Sequence, residues 1–357
     1  CNKCHNTFYE PFKFALPNCS YSLETLYCIA NSLREPSINF SSVGKQFGIS
    51  YQECINLFEK YVATPNYTEL PTIMCFDEKF LNRSIAKNGY AFIIVDFVNK
   101  KLFDILSSRH KEDLYKYFAK FSIEKRKKVK YIIIDMYQTY LDVAETFFPD
   151  AIIIVDSFHV VQNVRNAFDT IRKKIQKKYD NGSDDIDQNT EFYYLLKHNK
   201  DALLKFYTSL NNERKYNTRL KMYISERTMV SYALNIDPLL KNSYDLLQDY
   251  YEYNKYNSIE TAEEMLNEII LKFKLSKIKE FEDVGFTLSR WKKYIINSFI
   301  TIIDEKFHTK RRLSNGPIES INSLIEKIHL IGNGFKNFPL FRKICLCKIN
   351  KTITFKF

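Results

Sequence analysis

Between residues 72 and 156 the chain carries five short apolar runs, and their order constrains the fold more than any other feature. "TIMCFDEKF" (72–80), "YAFIIVDF" (90–97) and "KLFDILS" (101–107) follow one another across short joins, the first a hairpin-sized "LNRSIAKNG". "HKEDLYKYFAKF" (110–121) then has helical spacing, "VKYIIID" (129–135) is a buried strand run, and "YQTYLDVAETFF" (137–148) is helical again. "AIIIVD" (151–156) is a further buried strand, and a long basic helix follows from about 157 to 178. The order is β-β-β-α-β-α-β-α. A three-strand meander followed by alternation predicts a mixed sheet with helices on both faces.

That order is the one of an RNase H-like fold. From about 180 to 304 the strand runs stop and helix follows helix, opening with a polar loop, "NGSDDIDQN" (181–189). The fold class expected is therefore α/β: an RNase H-like mixed sheet with a large all-α insertion. The final element, "SNGPIESINSLIEKIHLIG" (314–332), has Ser314 or Asn315 as cap and Pro317 in its first turn, where a missing N–H costs little. Ile318, Ile321, Ile325 and Ile328 form its buried stripe, with Glu319 and Asn322 together on the adjacent face. The boundaries expected are a catalytic domain over 70–178, the helical insertion over 179–304, and the last helix and tail over 305–357.

Ahead of the sheet, "SLETLYCIANSLRE" (22–35) has helical spacing. "SSVGKQFGISYQECINLFEKYV" (41–62) reads as two helices that turn at Gly48, with Ser50 as N-cap and Glu53 completing a capping box. The pattern over 21–66 fits a helix-turn-helix and equally an ordinary helical hairpin. The chain opens "CNKCH", which fits a haem attachment motif, two ligands of a zinc site, or two thiols on a frayed end. Cys28, Cys54, Cys75, Cys345 and Cys347 lie in apolar stretches and read as buried thiols, too sparse for a disulfide scaffold.

The net charge of +11 suits a polyanion, nucleic acid first. Only 13 of the 53 basic residues are arginine, so 40 are lysine, which matches the codon bias of an AT-rich genome. Clusters therefore mean more than the total: "KRKKVK" (125–130), "RKKIQKK" (172–178) and "HTKRR" (308–312), the last with Lys310, Arg311 and Arg312. No run approaches the length of a membrane span.

The acids within apolar surroundings carry the chemistry. Asp77 ends the first strand and Asp135 the fourth, and in an RNase H-like sheet those strands are neighbours. Glu319 joins them from the last helix, and three hard oxygen ligands suit Mg²⁺. Two such ions activate an attacking oxygen and stabilise a leaving one at phosphorus. An Asp at a strand end more often caps the next turn, so the argument rests on the three together. Glu78 points to the other face if the strand continues; Asp156 also ends a strand and competes with Asp135.

"FDEKF…NGYAFIIVDF", "ILSSR", "IIIDMYQTY", "FPDAIIIVDSFHVVQNVRNAFDTIR" and "LSNGPIESINSLIEKI…GFKNFPLFRKI" stand in the order of a known family. The chain resembles the ISL-three family of bacterial insertion-sequence transposases, whose catalytic domain carries two aspartates and a glutamate. The resemblance implies Asp77, Asp135 and Glu319 as catalytic acids holding two Mg²⁺ or Mn²⁺ ions, with gaps of 58 and 184 residues between them. Arg109, Asp156, His159 and Asn322 are expected in supporting positions. Ser320 stands where the family usually has glycine. The resemblance also implies a zinc-binding N-terminus over 1–20, of which Cys1 and Cys4 look like the downstream pair. The upstream pair is expected to be missing, leaving zinc binding weak or absent. Double-stranded DNA is the implied partner, at terminal inverted repeats and at the target, contacted through Ser50, Tyr51, Gln52 and Lys60 of the second helix. A homo-oligomer on DNA, in a bacterial cytoplasm beside the nucleoid, completes the expectation. Two rivals are a DNA-binding remnant without catalysis and an RNase H-like nuclease acting on hybrids or junctions.

Overall fold

The computed structural model describes residues 3–4, 14–16, 19–182, 190–304, 308–332 and 335–356. Three helices come first. α1 (Leu23–Ser32) starts where the Ser22 hydroxyl accepts from the Thr25 amide. α2 (Phe40–Phe47) is capped by Asn39 and stopped by Gly48 at φ 67°, ψ 28°, a left-handed geometry that glycine adopts without a Cβ clash. Gly44 lets the turn close, because a Cβ there would sit 2.7 Å from the Ile49 carbonyl. α3 (Tyr51–Tyr61) begins at Ser50, whose hydroxyl accepts from the Glu53 amide at 3.0 Å. Cys54, Ile55, Leu57, Phe58 and Tyr61 turn inward, and fully burying each large apolar side chain contributes about 1.5–3 kcal/mol. Cys28, expected inside, is exposed, because α1 buries Leu26, Ile29 and Ala30 instead.

The sheet follows. β1 (Ile73–Phe80), β2 (Tyr90–Asp96) and β3 (Lys101–Leu106) form the expected antiparallel meander. α4 (Lys111–Phe118) and a short α5 (Ile123–Lys127) precede β4 (Tyr131–Ile134), which runs parallel to β1. α6 (Gln138–Phe147) leads to β5 (Ile152–Val155), and the strand order is β3-β2-β1-β4-β5. The mixed α/β sheet read from the sequence is thus present. Phe76, Phe92, Phe118 and Tyr140 cluster on one sheet face, with Phe76 5.2 Å from Phe92 and Phe92 5.1 Å from Tyr140.

The chain divides into two compact units, residues 1–152 with 315–357, and residues 153–314; the division falls inside β5. The second unit contains α7 (Ser157–Lys178), α8 (Glu191–His198), α9 (Lys200–Leu203), β6 (Lys215–Asn217), β7 (Met222–Ile224), α10 (Glu226–Leu234), α11 (Pro238–Tyr256), α12 (Ala262–Lys274), α13 (Lys279–Asn297), β8 (Thr301–Asp304) and β9 (Thr309–Arg312). Its helices bury Leu240, Leu266, Phe273, Phe281 and Trp291. The all-α expectation needs correcting: β6–β7 and β8–β9 are antiparallel ribbons. Strands of three and four residues are too short to show a period of two. The expected loop at 181–189 lies mostly outside the described residues.

The first unit closes with α14 (Gly316–Ile331) and α15 (Phe338–Ile349). Ile318, Ile321, Ile325 and Ile328 are buried, as their spacing predicts. α15 covers the β3 edge: Asn350, just past its end, exchanges hydrogen bonds with the Leu102 backbone at 2.9 and 2.8 Å. Its Lys343 ammonium donates to the Phe58 and Glu59 carbonyls in the last turn of α3, and Lys348 donates to the Glu35 and Ile38 carbonyls between α1 and α2. Burial lowers both ammonium groups to about 8. Among the described residues no helix is long and apolar enough to cross a membrane.

Candidate active site

Asp77 does not end its strand. β1 runs on to Phe80, because β2 keeps pairing with it as far as Phe80 opposite Tyr90. What ends near Asp77 is the pairing with β4, which covers Ile73 opposite Tyr131 through Cys75 opposite Ile133. That parallel register has an offset of 58, and the same 58 residues separate Asp77 from Asp135. Carried two residues further, it sets Asp77 opposite Asp135 where the two strands part.

Alternation along β1 sends its side chains to two different coverings. Phe76 and Glu78 face α4 and α6. Glu78 accepts from Arg109 at 2.5 Å and from the Tyr140 hydroxyl. Burial, and then the Glu78 charge, push the Tyr140 phenol well above its ordinary range. Arg109 also lies over the Tyr90 ring at 3.9 Å. Glu78 on the opposite face agrees with the sequence reading, and Arg109 serves that face.

Asp77 and Lys79 face α14. Asn322 Nδ2 donates to Asp77 Oδ2 at 2.6 Å, while the Glu78 amide donates to Asp77 Oδ1 at 2.7 Å. Lys79 pairs with Glu326 at 2.6 Å, and Asn82 meets His329 at 3.3 Å. Burial holds the His329 imidazole below its ordinary pKa, against the pull of Glu326. At the start of the helix Asn315 Nδ2 donates to Asp135 Oδ1 at 3.0 Å and reaches the Phe76 carbonyl at 3.5 Å.

Asn315, Glu319, Asn322, Glu326 and His329 are spaced four, three, four and three residues apart, which is one stripe along a helix. Asn315 and Asn322 are the members on Asp135 and Asp77, and the helical period puts Glu319 between them. Glu319 is exposed to solvent. Asn315 stands at the N-cap, yet its side chain makes no capping bond; its amide goes to Asp135 instead. Its place before a helix marks Asn315 in the sequence only as a cap. The signal that could have found it is its four-residue spacing from Glu319.

The donor set suits a hard cation. Among the described residues, Asn315 Oδ1 and Asn322 Oδ1 are buried oxygens with no hydrogen-bond partner. Each belongs to an amide whose nitrogen is already on an aspartate. Buried acceptors left without donors call for an ion or water, and carboxylate and amide oxygens are the ligands Mg²⁺ and Mn²⁺ take.

Asp156 follows β5 directly, as Asp135 follows β4, and is 2% exposed at the N-cap of α7 in the second unit. The His159 amide donates to the Asp156 carbonyl at 3.2 Å. Cys1 lies outside the described residues and Cys4 is exposed, so the zinc expectation stays with the sequence. On α3, Tyr51, Gln52 and Lys60 are exposed, while the Ser50 hydroxyl is used as the cap. Lys310 is exposed. Arg312 is spent inside its unit: it donates to the Asn254 and Asn257 carbonyls and lies 3.9 Å over the Phe299 ring.

The mixed sheet and its oxygen-rich helix stripe define a candidate metal-dependent enzyme of the α/β class. The family model described as a transposase, that of the ISL-three type of DDE transposases, matches residues 74–345. The chain belongs to that family, a family of DNA-processing enzymes. A search of the curated proteins found no match.

Proposed function

We propose that the chain is an active DDE transposase whose cutting centre is the α14 stripe laid over Asp77 and Asp135, with Glu319 as the third acid. The single observation that carries this is the pair of asparagine amides on the two aspartates, with Glu319 one turn along the helix between them. Asp77, Asp135 and Glu319 would hold two Mg²⁺ or Mn²⁺ ions, with the open oxygens of Asn315 and Asn322 beside them. When bound, such ions activate an attacking oxygen and stabilise a leaving one in an in-line displacement at phosphorus. The asparagines fix the aspartate oxygens before DNA arrives, so little reorganisation is left for the reaction. Asp156 and His159, which open α7, keep the supporting role that the family resemblance implies, and Arg109 is proposed as support for the strand that carries Asp77.

Helices α2 and α3 would act as a helix-turn-helix. Tyr51, Gln52 and Lys60 lie outside on α3, available to a DNA groove while the opposite face packs inward. Terminal inverted repeats would be chosen there, and Lys310 and Arg311 would add phosphate contacts without sequence choice. Cleavage at the element end would free a 3′-OH, which then attacks target DNA by the same chemistry. The protein would work as a homo-oligomer on paired ends, in the bacterial cytoplasm. Zinc would belong to the N-terminal segment that contains Cys1 and Cys4.

The test uses duplex DNA from the borders of the gene that encodes this chain. Mg²⁺-dependent nicking by the wild type, lost in Glu319→Gln with binding retained, is the expected result. Binding of the repeats without any metal-dependent cut would favour a catalytically dead remnant. Cutting of RNA–DNA hybrids with no preference for repeats would favour a nuclease.

A further inference from the structure

The β6–β7 ribbon of the second unit has two different faces. Lys215 pairs with Ile224, Tyr216 with Tyr223 and Asn217 with Met222. Ile224 is buried, and Asn217 Nδ2 donates to the Tyr194 hydroxyl at 3.0 Å, so that face lies on the helices of its own unit. Tyr216 and Tyr223 point the other way, 54% and 69% exposed, with ring centroids 5.2 Å apart. A cross-strand aromatic pair would stabilise a short ribbon by less than about 1 kcal/mol, and that role asks for nothing around it. Here the surroundings are basic. Residues 213–223 hold Arg214, Lys215, Arg219 and Lys221 against one acid, Glu213, which sits 3.5 Å from Lys215. The Asn217 carboxamide oxygen accepts from the Arg219 and Leu220 amides, and Lys221 closes the turn at φ 49°. Arg214 and Lys221 are exposed with the tyrosines.

We propose that this ribbon is a second DNA-contacting element, which rests on the reading above that the chain acts on DNA. A two-stranded ribbon fits a DNA groove. Tyrosine hydroxyls and lysine and arginine cations are donors to phosphate oxygens, and such contacts position a protein without reading sequence.

The experiment measures affinity of the full chain for labelled duplexes, with and without the terminal repeat, over a series of salt concentrations. The Arg214→Glu/Lys221→Glu pair should weaken both duplexes at least tenfold and flatten the salt slope by about two. Tyr216→Ala/Tyr223→Ala should weaken both roughly fivefold. The preference for the repeat should be unchanged in each. Lys221→Glu alone, in an exposed turn, gives a milder version that does not test folding. Wild-type affinity and slope in the variants, while the wild type binds well, would overturn the ribbon and leave the transposase reading standing. A wild type that binds no duplex would remove both. Variants that change the oligomeric state by light scattering but not DNA affinity would mark the tyrosines as a protein interface, and the proposal would be wrong.

Discussion

Two pairs of acids on the same sheet are held in different ways. Asp104 on β3 is 5% exposed and takes Arg342 through two hydrogen bonds, at 2.6 and 2.9 Å, and the Tyr117 hydroxyl at 2.7 Å. Glu78 on β1 takes Arg109 and Tyr140. Asp77 and Asp135 take the amides of Asn322 and Asn315. A guanidinium both orients a carboxylate and cancels its charge. An amide orients it and contributes no charge. The first arrangement is how a fold keeps an acid in a sheet; the second is how a fold aims an acid at something else. Burial opposes the charge on Arg342, yet Asp104 outweighs it and raises the guanidinium pKa above its ordinary value.

The largest expected effect is on chemistry. Asp77→Asn, Asp135→Asn or Glu319→Gln should each lower Mg²⁺-dependent strand cleavage by roughly a thousandfold or more, the scale of a lost charge-stabilising group. Their melting temperatures without metal should stay close to wild type. If Asp77→Asn cuts normally, the comparison fails at its first term. The second effect is on stability and falls on the other pair. Asp104→Ala strands Arg342 and should cost about 3 kcal/mol, read from the urea midpoint, because removing one partner of a buried pair leaves an uncompensated charge. A loss of cleavage with no loss of stability would reverse the roles assigned to the two sets.

Asn322→Leu comes next. It removes the orienting amide and should reduce cleavage about 10–100-fold, as outer-shell changes at metal sites do. It should also weaken the melting-temperature rise that Mn²⁺ gives the wild type, which a purely structural asparagine would leave unchanged. The smallest effect is that of pH. Lys343 and Lys348 are held at about 8 by burial, below the ordinary 10.5. Between those values the unfolded chain binds more protons than the folded one, so these groups make stability rise with pH from about 8 to 10.5. Below 8 their desolvation cost is fully present. The difference in urea midpoint between wild type and Lys343→Met/Lys348→Met should therefore shift toward the wild type as pH rises through that window.

Much of this arrangement was legible in the chain. The five apolar runs gave the sheet because each is both short and strongly apolar. The aspartates were marked by the apolar runs they follow and by the family resemblance; that β1 runs on to Phe80 past Asp77, and that the β1–β4 register repeats the 58-residue gap, only the fold shows. The isoleucine stripe of the last helix placed Glu319. Asn315 is half legible: its spacing from Glu319 puts it on the stripe, but an asparagine before a helix also signals a cap, and the fold shows its amide diverted to Asp135. Asp104 was equally hidden, since its partner Arg342 lies 238 residues away. The α5 helix, five residues long, was masked by its basic cluster. The two ribbons escaped for want of length.

The lysine contacts of α15 also bear on the order in which the molecule assembles. Lys348 reaches back to Ile38 across 310 residues. Helices α1–α3 leave the ribosome before α15, yet the carbonyls they present to it cannot be satisfied until α15 is made. At ribosomal speeds of about 5–20 residues per second, that interval is on the order of 15–60 s. For that time water must stand in for the two ammonium groups, and the leading helices have to hold together on their own Leu26, Val43 and Phe58 core. A nascent chain would thus have these helices formed well before α15 fastens them to the rest of their unit.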